Sequence, residues 1–133
     1  MASRNRTAGH GWELNCIKQI KDIYPDAVSS RSESRRRDDQ KVDLCYTGDF
    51  NIQCKNVATR CNYVEILESM PKEEGRINVI FEKKTRKSAN GRFMEEGRYV
   101  HLNMNDFIKL IRRYEGIVDT VGIDTTENTG NII

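Results

Sequence analysis

Three side chains with complementary chemistry lie close together in the stretch VDLCYTGDFNIQCKN, residues 42–56: the carboxylate of Asp43, the amide of Gln53 and the ammonium of Lys55. Gly48-Asp49 separates two runs rich in β-branched and aromatic residues, which predicts a hairpin with strands over Lys41–Thr47 and Phe50–Val57. Pairing around that turn sets Asp43 opposite Cys54. Gln53 and Lys55 share a face because strand side chains alternate. Asp43 joins that face if the register or a bulge allows it. Gathering three polar groups at one place is costly without partners, and a hard divalent cation is one possible partner. Mg²⁺ takes oxygen ligands and keeps several waters. Asp43 offers a carboxylate, and the Gln53 side chain and the Cys54 backbone offer neutral carbonyl oxygens. Lys55 could then orient or deprotonate an attacking water, or stabilise charge on a phosphate. The layout suits phosphodiester hydrolysis. The plainer alternative makes the same residues exposed positions alternating with Val42, Leu44, Ile52 and Cys54 in the core.

The elements around this stretch follow from hydrophobic period and punctuation. Trp12, Cys16, Ile20 and Ile23 recur at helical spacing, with Ile17 and Tyr24 widening the face. They predict a helix from about Gly9 to Tyr24, stopped by Pro25. Residues 1–8 read as a flexible basic arm, Asp26–Ser30 as a short strand, and Arg31–Gln40 as a charged, mobile loop. A helix over Asn62–Met70 presents Tyr63, Ile66, Leu67 and Met70 on one face. Ile77–Lys84 is the most apolar strand and belongs in the centre of a sheet. Thr85–Gly97 reads as a loop or irregular β-excursion with Asn90-Gly91 at its tip, followed by a strand over Tyr99–Met104. Asn105 could cap a last helix from about Asp106 to Tyr114, with Phe107, Ile108, Leu110 and Ile111 facing inward. The expected order is α-β-β-β-α-β-β-α, an α/β (α+β) design with a mixed sheet of about five strands flanked by helices.

Composition bounds the rest. The chain of 133 residues suits one compact domain, expected over 1–115, with a polar, acidic and disordered tail over 116–133. With 37% hydrophobic and 32% charged residues it is polar on the surface yet apolar enough to fold. No run approaches the ~20 apolar residues of a membrane span, and the first residues lack a secretory signal. Cys16, Cys45, Cys54 and Cys61 show no zinc-like spacing and read as reduced thiols, so a cytoplasmic location is expected (host cytoplasm if the source is viral). The net charge of +2 is uneven: Asp119, Asp124 and Glu127 lie in the tail without a base, while Arg31, Arg35, Arg36 and Arg37 cluster, as do Lys83, Lys84, Arg86 and Lys87. Basic clusters fit a phosphate-rich partner, or else form a solvated surface.

Taken in order, these features resemble a known family. Gly9-x-x-x-Glu13 opens the first helix, AVSS follows, then the Arg-rich segment, then Val42-Asp43-Leu44, then Gln53-Cys54-Lys55 and a helix. This order and spacing, over about residues 8 to 114, resembles the PD-(D/E)xK nucleases of restriction-endonuclease-like fold, and within them the archaeal-type Holliday-junction resolvases. The resemblance implies a magnesium-dependent endodeoxyribonuclease of DNA recombination and repair, acting as a homodimer on branched DNA, with Mn²⁺ as a possible substitute. Asp43, Gln53 and the Cys54 carbonyl would hold metal, Glu13 a second metal or a bound water, and Lys55 the attacking water. Ser30 lies where a serine after the first strand contributes to the site. Arg31, Arg35, Arg36, Arg37 and Lys41 would contact phosphates, and His10 could also touch one. The family usually carries Glu where this chain has Gln53, so charge is missing from the cation site, and Glu13 is the acid expected to restore it. A restriction-like or repair nuclease on duplex or flapped DNA, and a DNA-binding relative with impaired catalysis, fit the same motifs.

Overall fold

The structure, a computed structural model, describes residues 4–117. The residues expected to form the outermost arm and most of the acidic tail, 1–3 and 118–133, lie outside the described residues. The elements are α1 (Arg4–Ile20), β1 (Val28–Ser29), α2 (Ser30–Glu33), α3 (Arg35–Asp39), β2 (Leu44–Cys45), β3 (Phe50–Val57), α4 (Tyr63–Ser69), β4 (Ile77–Lys87), β5 (Phe93–His101) and α5 (Met104–Tyr114). The molecule is a mixed α+β protein with one sheet of three strands and one of two, flanked by helices. A single sheet of about five strands is not formed among the described residues.

The three-stranded sheet runs β3-β4-β5, with β4 central, parallel to β3 and antiparallel to β5. The apolar run at 77–80 explains the central place of β4: Ile77, Val79 and Ile80 are buried. The parallel β3–β4 pair requires a crossover, which α4 supplies. Register sets Gln53 beside Ile80 and Lys55 beside Glu82, so these residues share one face. Ile52, Cys54 and Val79 share the other, where α1 packs. There Trp12 Nε1 donates to the Phe81 carbonyl at 3.0 Å, and the buried Cys16 hydrogen-bonds with Cys54. Burying each such apolar side chain stabilises by roughly 1.5–3 kcal/mol.

Several expectations about the elements change. α1 starts at Arg4 instead of Gly9 and ends at Ile20. A turn follows, in which the Ile23 and Tyr24 amides donate to the Ile20 carbonyl, and it leaves Ile23 exposed instead of in the core. The charged segment 31–40 is not a bare loop, because two serines cap short helices in it. The Ser29 hydroxyl accepts from the Arg31 amide and the Ser34 hydroxyl from the Arg37 amide. Of the two alternatives for 85–97, the irregular β-excursion forms: β4 and β5 run on as one long hairpin with a register shift at Lys84/Thr85 and Asn90-Gly91 between the strands.

A further change concerns the expected hairpin at 41–57. The strand expected over Lys41–Thr47 shrinks to Leu44–Cys45 and pairs with β1, not β3. Lys41 (φ 67°) and Tyr46 (φ 63°) adopt left-handed backbone, which extended pairing cannot accommodate. At the turn, Gly48 (φ 62°) passes under Tyr24, and a Cβ there would sit 2.9 Å from Tyr24 Cε1.

The chain divides after Asn103, and Met104 opens a second unit. In it, α5 carries Met104, Phe107, Ile108, Ile111 and Tyr114 at amphipathic spacing. Phe107, Ile108 and Ile111 stay exposed instead of facing inward as expected. Among the described residues, no helix is long and apolar enough to cross a membrane.

Candidate functional site

Asp43 bridges the two sheets, and its side chain takes the place of a backbone partner. The Asp43 amide donates to the Ile52 carbonyl at 2.8 Å, and the Asp43 carbonyl accepts from the Ser30 amide at 2.8 Å. The next ladder position is filled by the carboxylate itself: the Cys54 amide donates to Asp43 Oδ2 at 2.8 Å. This interception is why β2 and β3 do not zip into a hairpin. It also holds Asp43 beside Gln53 and Lys55. In a strand, a residue's N–H and C=O point the same way, so the Cys54 carbonyl is turned toward Asp43 too.

Asp43, Gln53 and Lys55 line one cavity of about 570 Å³, together with Asp38 and Lys41 from the end of α3 and Asn62, Glu65, Ile66 and Ser69 from α4. Gln53 is buried at 6% exposure, and its Oε1 has no hydrogen-bond partner among the described residues. Burial pushes the Asp43 carboxyl up to about 6. The Cys54 amide opposes that shift, the Glu13 and Asp38 charges add to it, and Lys55 offsets part of it. A buried amide oxygen without a donor beside a carboxylate reluctant to ionise is an environment that a cation would relieve. The donor set therefore fits a hard divalent ion. Among the described residues, no group of three or more His, Cys, Asp or Glu side chains is placed to hold a metal. The oxygen of Gln53 comes from an amide, and Cys54, whose carbonyl was expected to join it, is not among the residues that line the cavity.

The other expected site residues fall in different places. Glu13 is buried in α1 and does not line the cavity. Its Oε2 accepts from Arg31 at 3.0 Å, its Oε1 accepts from the Ser29 hydroxyl at 3.3 Å, and His10 Nδ1 lies 3.9 Å away. Arg31 and His10 are thus drawn toward an acid of their own chain. Ser30 is fully buried. Its amide holds Asp43, while its hydroxyl has no partner among the described residues. Of the Arg cluster, Arg35 and Arg36 are exposed, whereas Arg37 is part of the scaffold. Its guanidinium donates to Gln40 Oε1 (3.0 Å), Glu73 Oε1 (3.0 Å) and Asn51 Oδ1 (2.9 Å), tying α3 to β3 and to the segment before β4. The Asn51 amide and then Arg37 hold the Glu73 carboxyl below its usual range. The Cys54 thiol faces α1, and its bond with Cys16, together with burial, raises its pKa well above the ordinary value. It is packing, not a nucleophile.

One cluster around a buried acid carried no signal in the sequence. Glu82, 2% exposed, stands beside Lys55 on the next strand. Tyr63 donates to Glu82 Oε2 at 2.6 Å, His101 Nε2 lies 2.9 Å from Oε1, and the Tyr63 and His101 rings stack with centroids 3.8 Å apart. The bond to Glu82 pushes the Tyr63 hydroxyl up to about 12. These three residues come from α4, β4 and β5, so only the register reveals them. The cluster clamps α4, one wall of the cavity, onto the sheet. Glu82→Ala should cost about 2 kcal/mol, because it removes two hydrogen bonds at a buried acid and leaves a void, while the half-exposed partners regain water. Urea unfolding measures this, and a loss near zero would mean that the clamp contributes nothing.

Compared with known protein families, curated proteins and solved structures, the chain matches none.

Proposed function

We propose that this protein is a divalent-metal-dependent DNA endonuclease acting on branched DNA, with the Holliday junction as its substrate. The observation that carries the reading is the convergence of Asp43, Gln53 and Lys55 on one cavity, with Gln53 Oε1 buried and without a hydrogen-bond partner among the described residues. Family resemblance supplies the substrate class.

Asp43 Oδ1, Gln53 Oε1 and the Cys54 carbonyl would hold Mg²⁺, or Mn²⁺ in its place. Such an ion, when bound, supplies positive charge against the phosphate and acidifies water. Lys55 makes no hydrogen bond or ion pair among the described residues, so its ammonium is available to the substrate. Its role is to orient the attacking water and to stabilise charge on the phosphate. Water oxygen bonds to phosphorus, one P–O ester bond breaks, and the released oxygen takes a proton. Lys41 lines the same cavity, and Arg35 and Arg36 are exposed close to it in sequence, which supports a phosphate-contacting role for all three. The homodimer implied by the resemblance would have exposed apolar side chains on β5 to use, namely Phe93, Met94, Tyr99 and Val100. A cytoplasmic location belongs to the same proposal.

A DNA-binding relative without cleavage is the second reading, favoured by the neutral Gln53. One assay separates the readings: purified protein is incubated with a four-way junction, or with linear or flapped duplex of matching sequence, in Mg²⁺ or Mn²⁺. Paired nicks in the junction, lost in Lys55→Ala while junction binding persists, are the expected result. Preferential cutting of linear or flapped duplex would move the substrate class. Binding without nicks in either metal would establish the second reading.

A further inference from the structure

We infer that Glu65, on the first turn of α4, supplies the carboxylate charge that Gln53 does not bring to the cation site. This rests on the metal-dependent reading above and names a residue that the sequence motifs do not include.

The need comes from the chemistry. Gln53 Oε1 is a neutral donor, the residue is 6% exposed, and the oxygen has no partner among the described residues. Asp43 is the one carboxylate that the strand motif brings to the cavity, where Asp38 of α3 and Glu65 of α4 are the further acids, and charge count is a main determinant of affinity for hard cations. Glu13 was the acid expected to make up the difference. Its two oxygens are instead engaged by Arg31 and Ser29, and it does not line the cavity.

Glu65 meets the conditions that Glu13 fails. It lines the cavity that Asp43, Gln53 and Lys55 line. The topology places it there: β3 and β4 are parallel, so α4 runs back from the carboxyl end of β3 and its first turn begins near Lys55. Asn62 fixes that turn as its N-cap, its side-chain oxygen accepting from the Glu65 amide at 3.1 Å. The Glu65 carboxylate is exposed, and among the described residues its only hydrogen bond is to the amide of that capping Asn62, at 3.3 Å. Little has to be given up for it to turn toward an ion. Tyr63, two residues earlier, anchors the helix to Glu82. An ion between Asp43 and Glu65 would thus draw on two acids and on the amide oxygen of Gln53.

The test is Mn²⁺ binding, read by electron paramagnetic resonance or calorimetry at pH 7.5, on the full chain and on Glu65→Gln, Gln53→Glu, the double variant and Asp43→Asn. Glu65 is exposed, so its substitution leaves the fold intact, which a thermal melt checks. Glu65→Gln should weaken binding by about tenfold or more, and Gln53→Glu in that background should restore it by returning the carboxylate to the strand. Rescue by charge at position 53 is not expected of a merely structural role. If Glu65→Gln binds like the parent while Asp43→Asn does not, or if the double variant stays weak, the inference falls and the metal site stands. If the parent binds no better than Asp43→Asn, the metal-dependent reading falls with it.

Discussion

Asp43→Asn is expected to abolish cleavage and, in the absence of metal, to make the protein more stable at neutral pH. The two effects share one cause. The carboxyl of Asp43 has its pKa pushed up to about 6 in the folded chain, first by burial and then by the charges of Glu13 and Asp38, against an ordinary value near 3.8. Between those values the folded state binds more protons than the unfolded state. Stability is therefore fully present below about pH 4 and is lost as pH rises through about 6. About two pKa units correspond to a loss on the order of 3 kcal/mol by pH 7. The amide variant carries no such charge and can still accept from the Cys54 amide, less strongly. A gain of about 1–2 kcal/mol at pH 7.5 in EDTA remains, vanishing near pH 4. Urea midpoints at both pH values measure it. Mg²⁺ should reverse the order by stabilising the parent and not the variant. A parent whose stability climbs from pH 4 to 7 relative to Asp43→Asn would contradict the assignment of Asp43 as a strained, cation-seeking acid. A protein that carries such a destabilised group is expected to use it.

Arg37→Ala is expected to act on folding, and Arg35→Ala with Arg36→Ala on DNA. The Arg37 guanidinium joins Gln40, Glu73 and Asn51, and Asn51 is fully buried. Arg76 also reaches Asn51 Oδ1 at 2.8 Å, so removal of Arg37 weakens this junction without emptying it. A loss of about 2 kcal/mol follows, since the bonds are charge-assisted and only half shielded from water. Arg35 and Arg36 are exposed, so the paired substitution should leave the urea midpoint unchanged. Junction affinity should then fall, and the salt slope should shrink by about one for each phosphate that the protein no longer neutralises. Equal destabilisation by all three arginines would remove the distinction. Salt dependence untouched by the Arg35/Arg36 pair would make that surface merely solvated.

The places where sequence reasoning succeeded and failed have a common physical basis. The apolar period of α1 and the run that became β4 were legible because burial repeats at the spacing of the element, whereas the expected face of α4 is only half-buried, and Met70 is its C-cap. The proximity of Asp43, Gln53 and Lys55 was legible as well, since all three lie close in the chain. The path by which Asp43 arrives was not. A hairpin was the natural expectation, and only the folded chain shows the carboxylate taking the Cys54 amide that a backbone carbonyl would otherwise take. The capping roles of Ser29 and Ser34 were written in the segment 29–34, but its charges drew the reading toward a loop.

What the sequence alone determined is local: which residues prefer helix or strand, and that an acid, an amide and an amine lie near one another in the chain. What the tertiary structure decided is pairing at a distance. It withdrew Glu13 to Arg31, committed Arg37 to Asn51 and Glu73, put Glu82 between Tyr63 and His101, and brought Glu65 to the cavity. Each of these depends on strand register and helix placement. Those are set by the summed packing of many apolar side chains, and no short stretch of residues encodes that sum.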